Sequence, residues 1–251
     1  MFETARRDGV CRLARPETRW LSTGYAGGDS RADAAFNVTV PEGWPETDLD
    51  AYVERRLSAA GFDERGPTLL TGVGQEHARR ARFGPVEVVA TAGVSNPAEL
   101  PIDDDPREWG DASDAPDAAA GDDRDDRDDR DDRDDPVGTV NVFVGTTRSL
   151  EPGALANLVA VAAEAKAATL LARCGAPGTT TDAVVAACDP AGDPATFSGS
   201  ATEVGNAARV CVRDAVLASL GSRYDAGPIP RGVDEANYGV VADDRATVAP
   251  I

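Results

Sequence analysis

VEVVATAGV, residues 86–94, decides the fold class. It is a run of Val, Ala and Thr closed by glycine, and such a run reads as a buried strand. GTVNVFVG (138–145) has the same character, so the two are expected side by side in one sheet. Working outward, RWLST (19–23), AAFNVTV (34–40) and TLLTG (68–72) read as further strands, and DAVVAAC (182–188) as another buried one. Asp48 to Ala60 reads as a helix, with Asp at its start, apolar Leu49, Tyr52, Val53 and Leu57 at helical spacing, and Gly61 as its stop. A second helix is predicted from Pro152 to about Ala172, where proline suits the first turn. A third runs from Thr202, a good N-cap, to Leu220, with Gly221 as its stop. QEHARRAR (75–82) reads as a polar helical stretch. This order predicts a single α/β or α+β domain in which helices pack on a mixed sheet.

Residues 98–136 break the pattern. DDR repeats four times from Asp122 to Arg133, and Asp103 to Asp135 holds 17 acids against 5 arginines, a net of −12. With almost nothing to bury, this segment is expected to be a disordered acidic linker inserted into the domain. The domain itself then comprises residues 1–97 and 137–221. Residues 222–251, broken by Pro228, Pro230 and several glycines, are expected to form a loosely packed C-terminal tail.

The net charge of −19 repels nucleic acid and anionic membranes, which excludes both as partners. The 25 basic residues include one lysine, and the acidic, arginine-rich composition is like that of halophilic proteins. The N-terminus carries no apolar run of a signal peptide, and no membrane span stands out, which predicts a cytoplasmic protein. Four scattered cysteines, Cys11, Cys174, Cys188 and Cys211, are expected to be reduced and buried. His77 is the only histidine and reads as a solvated surface residue. One histidine supports neither a multi-histidine metal site nor a Ser-His-Asp triad, so no metal is expected.

Five short polar segments set among apolar runs hold the candidate chemistry: TAGVSN (91–96), GTVN (138–141), EAK (164–166), PGTTTD (177–182) and GSATEVG (199–205). Lys166 is the one lysine and falls on an apolar helix face. It either stabilises an oxyanion or carboxamide, or pairs with a carboxylate from another element. Glu164 points elsewhere on the same helix, and function and structure are equally open to it. In PGTTTD, Gly178 permits a tight turn while Thr179, Thr180 and Thr181 offer hydroxyls and N–H groups that can cradle an anion. Asp182 acts as a base, orients a threonine or simply caps the turn. Glu203 either complements the helix dipole or faces a cleft. Ser95 and Asn96 fall at a strand end, where ligand contacts gather, and asparagine suits carboxamide recognition. Asn141, inside an apolar strand, either satisfies a neighbouring backbone group or lines the site.

In order and spacing, these segments resemble the adenosylcobinamide amidohydrolase family (CbiZ type). RWLSTGYAGG (19–28) and FNVTV (36–40) stand where the family opens, and the similarity runs from about Arg19 to Ala218. PGTTTD departs from the family's TGTGTD, and ATEVGN (201–206) from its GTELGE. The resemblance implies hydrolysis of the amide bond between a corrinoid and aminopropanol, giving adenosylcobyric acid during cobinamide salvage. It implies a small-molecule corrinoid as the partner and no resident cofactor, since the cobalt belongs to the substrate. It does not imply an oligomeric state. Two other classes compete: a corrinoid-binding module without catalysis, and an interaction protein that works through its acidic loop.

Overall fold

A computed structural model describes residues 2–41, 48–102 and 138–250. The strands in chain order are β1 (Glu3–Arg7), β2 (Val10–Ser22), β3 (Gly28–Thr39), β4 (Thr68–Thr71), β5 (Arg79–Phe83), β6 (Val86–Ala92) and β7 (Pro97–Glu99). After the acidic region come β8 (Val140–Thr146), β9 (Ser149–Leu150), β10 (Gly178–Thr179), β11 (Ala183–Cys188), β12 (Pro194–Ala195) and β13 (Val240–Val241). The helices are α1 (Leu49–Ala59), α2 (Pro152–Cys174) and α3 (Glu203–Arg223).

One mixed sheet dominates, in the order β4-β3-β2-β11-β8-β6-β5, with β1 added beside β2. The two valine-rich runs are antiparallel neighbours, Val88 opposite Val144. β11 lies parallel to β8 and antiparallel to β2. The sheet bends back over itself. β2 changes register between Ala14 and Thr18, where Glu17 has φ +55°, and a bulge of this kind turns a strand. Across the bend, Asn37 of β3 donates to Thr91 Oγ1 of β6 at 2.9 Å, although three strands separate β3 from β6 in the sheet order. Four layers result. α2 and α3 cover one face of β6, β8 and β11, with Leu155, Leu158, Leu170 and Val212 against Val140, Val142 and Val144. Leu13, Trp20, Leu69, Phe143 and Val185 fill the space between the two halves of the sheet. Tyr52 and Leu57 of α1 pack on Val10, Phe36 and Val38 on the outer face.

Local chemistry sets the helix ends. Asp48 Oδ1 accepts from Ala51 N at 3.0 Å, and Thr202 Oγ1 from Gly205 N at 3.0 Å. Each satisfies a donor that the first turn leaves open. α2 closes on Gly175 at φ +79°, a left-handed cap suited to glycine. It is long and apolar enough by length and composition to cross a membrane, where the sequence reading found no stretch that stood out as a span. Here it packs on the sheet beside α3 as a core helix does.

Four further expectations change. QEHARRAR is a short 3₁₀ turn, Gln75–His77, running into β5. Its arginines are strand residues, and Arg82 reaches buried Glu87 at 3.1 Å. α3 continues through Gly221 to Arg223. The C-terminal segment is docked: β13 pairs with β7, and Val233 and Ala236 are buried. Residues 98 and 99, placed by sequence in the acidic insert, belong to β7. Residues 103 to 136 of that insert lie outside the described residues.

Candidate active site

Asp182 sits just before β11 and is enclosed by donors from three elements. Val140 N, at the start of β8, donates to Oδ1 at 2.8 Å. Thr179 gives its N–H to Oδ2 at 3.0 Å and its hydroxyl to Oδ1. Lys166, from the middle of α2, donates its ammonium to Oδ2. A carboxylate offers about four lone-pair sites, so all are taken. The pair is largely withdrawn from water, with side-chain exposures of 11% for Lys166 and 9% for Asp182. A charge pair at that depth needs full hydrogen bonding to be tolerated. Glycine at 178 makes room for it, because a Cβ there would lie 2.7 Å from Asp182 Oδ2 and 3.1 Å from Lys166 Nζ.

The neighbouring loops are stitched to the same place. Ser95 Oγ accepts from Gly138 N at 2.6 Å. Asn96 Nδ2 donates to Thr180 Oγ1 at 2.6 Å, and Thr180 N returns a bond to Asn96 O at 3.3 Å. Thr139 and Thr181 pair their hydroxyls at 2.8 Å. Ser95 and Asp182 thus grip one extended segment at Gly138 and Val140, two residues apart and so about 7 Å along it. Asn96 Oδ1 is buried and has no hydrogen-bond partner among the described residues.

Ser95 also opens onto a cavity of about 840 Å³, whose other walls include His77, Arg223, Tyr224, Pro228 and Asn237. That volume falls in the range of small-molecule sites. His77 is therefore on a cavity wall rather than on open surface, with Nδ1 3.1 Å from Ser222 Oγ. Its signal in the sequence was being the sole imidazole, but the surrounding arginines gave it the look of a solvated helix. Arg223, Tyr224 and Asn237 were missed because they follow the last periodic segment.

Lys166, Asp182, Thr179, Thr180, Thr181, Gly178, Ser95 and Asn96 come together. Three other candidates do not. Glu203 opens α3 and pairs with Arg148 at 2.9 Å, its side chain 62% exposed. At 1.5 Å per residue it is about 30 Å along α3 from Arg223, at the cavity end. Glu164 pairs with Arg209 at 2.9 Å on the outer side of α2, 58% exposed. Asn141 is buried between the sheet halves, donating to Asn37 Oδ1 at 2.9 Å and Leu70 O at 3.0 Å. Strand alternation sends it to the face opposite Val140 and Val142, which meet the helices. Within the threonine loop, the N–H groups of Thr179 and Thr180 are already bonded to Asp182 and Asn96, so neither is open to an oxyanion.

All four cysteines are buried and free, and burial pushes each thiol up, Cys11 and Cys211 to about 11. Thiols held protonated in this way are poor nucleophiles. Among the described residues, no group of three His, Cys, Asp or Glu side chains converges as metal ligands would.

Residues 1–228 match the adenosylcobinamide amidohydrolase (CbiZ) family. A relative from Halobacterium salinarum named adenosylcobinamide amidohydrolase is 55% identical over 250 residues, covering 99% of both chains. Another of that name, from Methanosarcina mazei, is 24% identical over 210 residues, 80% of this chain and 88% of its own.

Proposed function

The chain belongs to the adenosylcobinamide amidohydrolase family, and from that premise we propose how its site performs the reaction. The reaction is hydrolysis of the amide that joins a corrin propionyl side chain to aminopropanol, releasing aminopropanol and adenosylcobyric acid in cobinamide salvage. The corrinoid occupies the cavity beside Ser95, and the scissile arm reaches past Ser95 and Asn96 towards Lys166.

The observation that carries the mechanism is the saturated carboxylate of Asp182. With four donors in place it has no lone pair left for water. Lys166, whose ammonium has three donors, spends one on Asp182. When the amide carbonyl arrives, Lys166 turns a proton from Asp182 Oδ2 to the carbonyl oxygen. That single exchange polarises the carbonyl and frees a lone pair on Asp182. A water then attacks the carbonyl carbon and passes its proton to Asp182. The oxyanion forms against Lys166, and the same carboxylate returns the proton to the departing nitrogen as the C–N bond breaks. Val140 and Thr179 hold the carboxylate still throughout. Thr181 and Thr139 position the water, and the buried Oδ1 of Asn96 accepts from the amide N–H of the substrate. The route needs no resident cofactor, since the cobalt arrives with the substrate. The acidic composition and the relative from Halobacterium salinarum support a cytoplasm rich in salt as its setting.

The test is incubation of folded protein with adenosylcobinamide in molar KCl, following aminopropanol and adenosylcobyric acid. Both are expected in equal amounts. Release of neither overturns the reading.

A further inference from the structure

The family match ends at residue 228, but the wall of the cavity does not. Pro230, Glu235 and Asn237 line it together with Ser95. The segment that carries them is fastened at several points. Gly232 N donates to Cys174 O, at the end of α2, at 2.9 Å. Val233 N donates to Glu99 Oε1 at 2.5 Å. Tyr238 N donates to Ser95 O at 3.0 Å, and Ala242 N to Glu99 O at 3.0 Å. Val233 and Ala236 turn inward and are buried, while β13 extends the small sheet through β7. A segment held through its own backbone presents its remaining side chains at fixed places, which is what discrimination between ligands requires.

Building on the function proposed above, we infer that this segment determines specificity: Glu235 and Asn237 read the peripheral primary carboxamides of the corrin ring and reject carboxylates in their place. A primary carboxamide offers two N–H donors and one carbonyl acceptor, whereas a carboxylate only accepts. Glu235 Oε2 already accepts from Arg231 N at 2.9 Å, which orients the head group and leaves Oε1 for an incoming N–H. Asn237 presents both a donor and an acceptor and matches an amide head to head. A carboxylate at this wall loses the bond to Glu235 and meets a like charge, so the selection includes repulsion as well as attraction. Neither Lys166 nor Asp182 lines this cavity, so the wall acts on which corrinoid binds and not on the bond broken.

Steady-state kinetics test this with two substrates, adenosylcobinamide and an analogue in which one non-scissile carboxamide has been hydrolysed to a carboxylate. The wild-type protein is expected to favour the amide form by about tenfold in kcat/KM. Glu235→Gln should bring that ratio close to one. Asn237→Ala should raise KM about tenfold with little change in kcat. Gly239→Ala reaches the wall indirectly: Gly239 has φ +149°, and a Cβ there would stand 2.7 Å from Pro97 O, so β13 is pushed off β7. It should raise KM as Asn237→Ala does. Equilibrium dialysis of the same two corrinoids reads the ratio without turnover, so failure of hydrolysis and failure of the wall are separate results. A Glu235→Gln protein that keeps wild-type discrimination in dialysis overturns the inference.

Discussion

Lys166 and Asp182, one in the middle of α2 and the other just ahead of β11, form a buried ion pair in which the carboxylate is saturated and the ammonium is not. The asymmetry sets their roles. Asp182 is fixed by backbone and threonine donors, whereas Lys166 hangs on a flexible stem and is free to share its protons with a substrate.

Lys166→Arg keeps the charge but replaces a compact ammonium with a planar fork that does not fit over Gly178 in the same way. Loss of one well-placed oxyanion donor costs about 10²–10³ in rate. A fall in kcat of that size is expected, with cooperative unfolding retained. Turnover like wild type would mean that any cation serves.

Asp182→Asn leaves the Lys166 ammonium without its counter-charge in a largely buried place. Breaking such a pair costs about 3–5 kcal/mol, so this variant should lose activity and also unfold at clearly lower urea. The exposed pairs behave differently. Glu203→Gln and Glu164→Gln remove ion pairs worth about 0–1 kcal/mol, and both should keep wild-type kcat. A collapse of kcat in Glu203→Gln with intact fold would bring that residue back into the chemistry.

The cysteines give stability a dependence on alkaline pH. Burial raises the Cys11 thiol from its ordinary 9.0 to about 11. Below pH 9 the thiol is protonated whether the chain is folded or not, and the fold bears no penalty. Between pH 9 and 11 the unfolded chain ionises and the folded one does not, so stability falls by about 3 kcal/mol. Urea melts from pH 8 to 11 should show the difference between wild type and Cys11→Ala shrinking by about that amount. A difference independent of pH would mean that the thiol is not held protonated.

Charge predicts a response to salt. At a net −19, self-repulsion opposes folding in dilute buffer. Screening shortens to about 3 Å in molar salt. The melting temperature should climb steadily with KCl, and replacing residues 103–135 by a short Gly/Ser linker should flatten the climb while preserving fold and activity. An unchanged melting temperature across the series would count against salt adaptation.

The sequence disclosed elements whose signals are local. Asp48 and Thr202 cap their helices as read, and the runs at 86–94 and 138–145 pair as expected. Where the partner is distant, the reading stopped short. Arg80 and Arg82 alternate along β5 because Glu87 lies on the adjacent strand, which no helical or polar count reveals. Asn141 sits in a strand buried on both faces, so its alternation identified two faces but not which one meets the helices. Lys166 and Asp182 were each legible as unusual. Their meeting was left as one of two alternatives because it depends on how α2 lies across β11. The C-terminal wall has no periodicity to detect, being held by single backbone bonds to Ser95, Cys174 and Glu99.

The bend in the sheet has a consequence for synthesis on the ribosome. β2 and β3 are complete by residue 39, yet β2 needs β11, ending at residue 188, as its neighbour. Asn37 likewise waits for Thr91 and Asn141. At about 5–20 residues per second, the hairpin emerges roughly 7–30 s before the strand that closes over it. For that interval the apolar face built on Leu13, Trp20 and Ala35 is uncovered in the nascent chain. α1 packs on the opposite side of the hairpin, against Val10, Phe36 and Val38, so it leaves this face open and protection falls to chaperones.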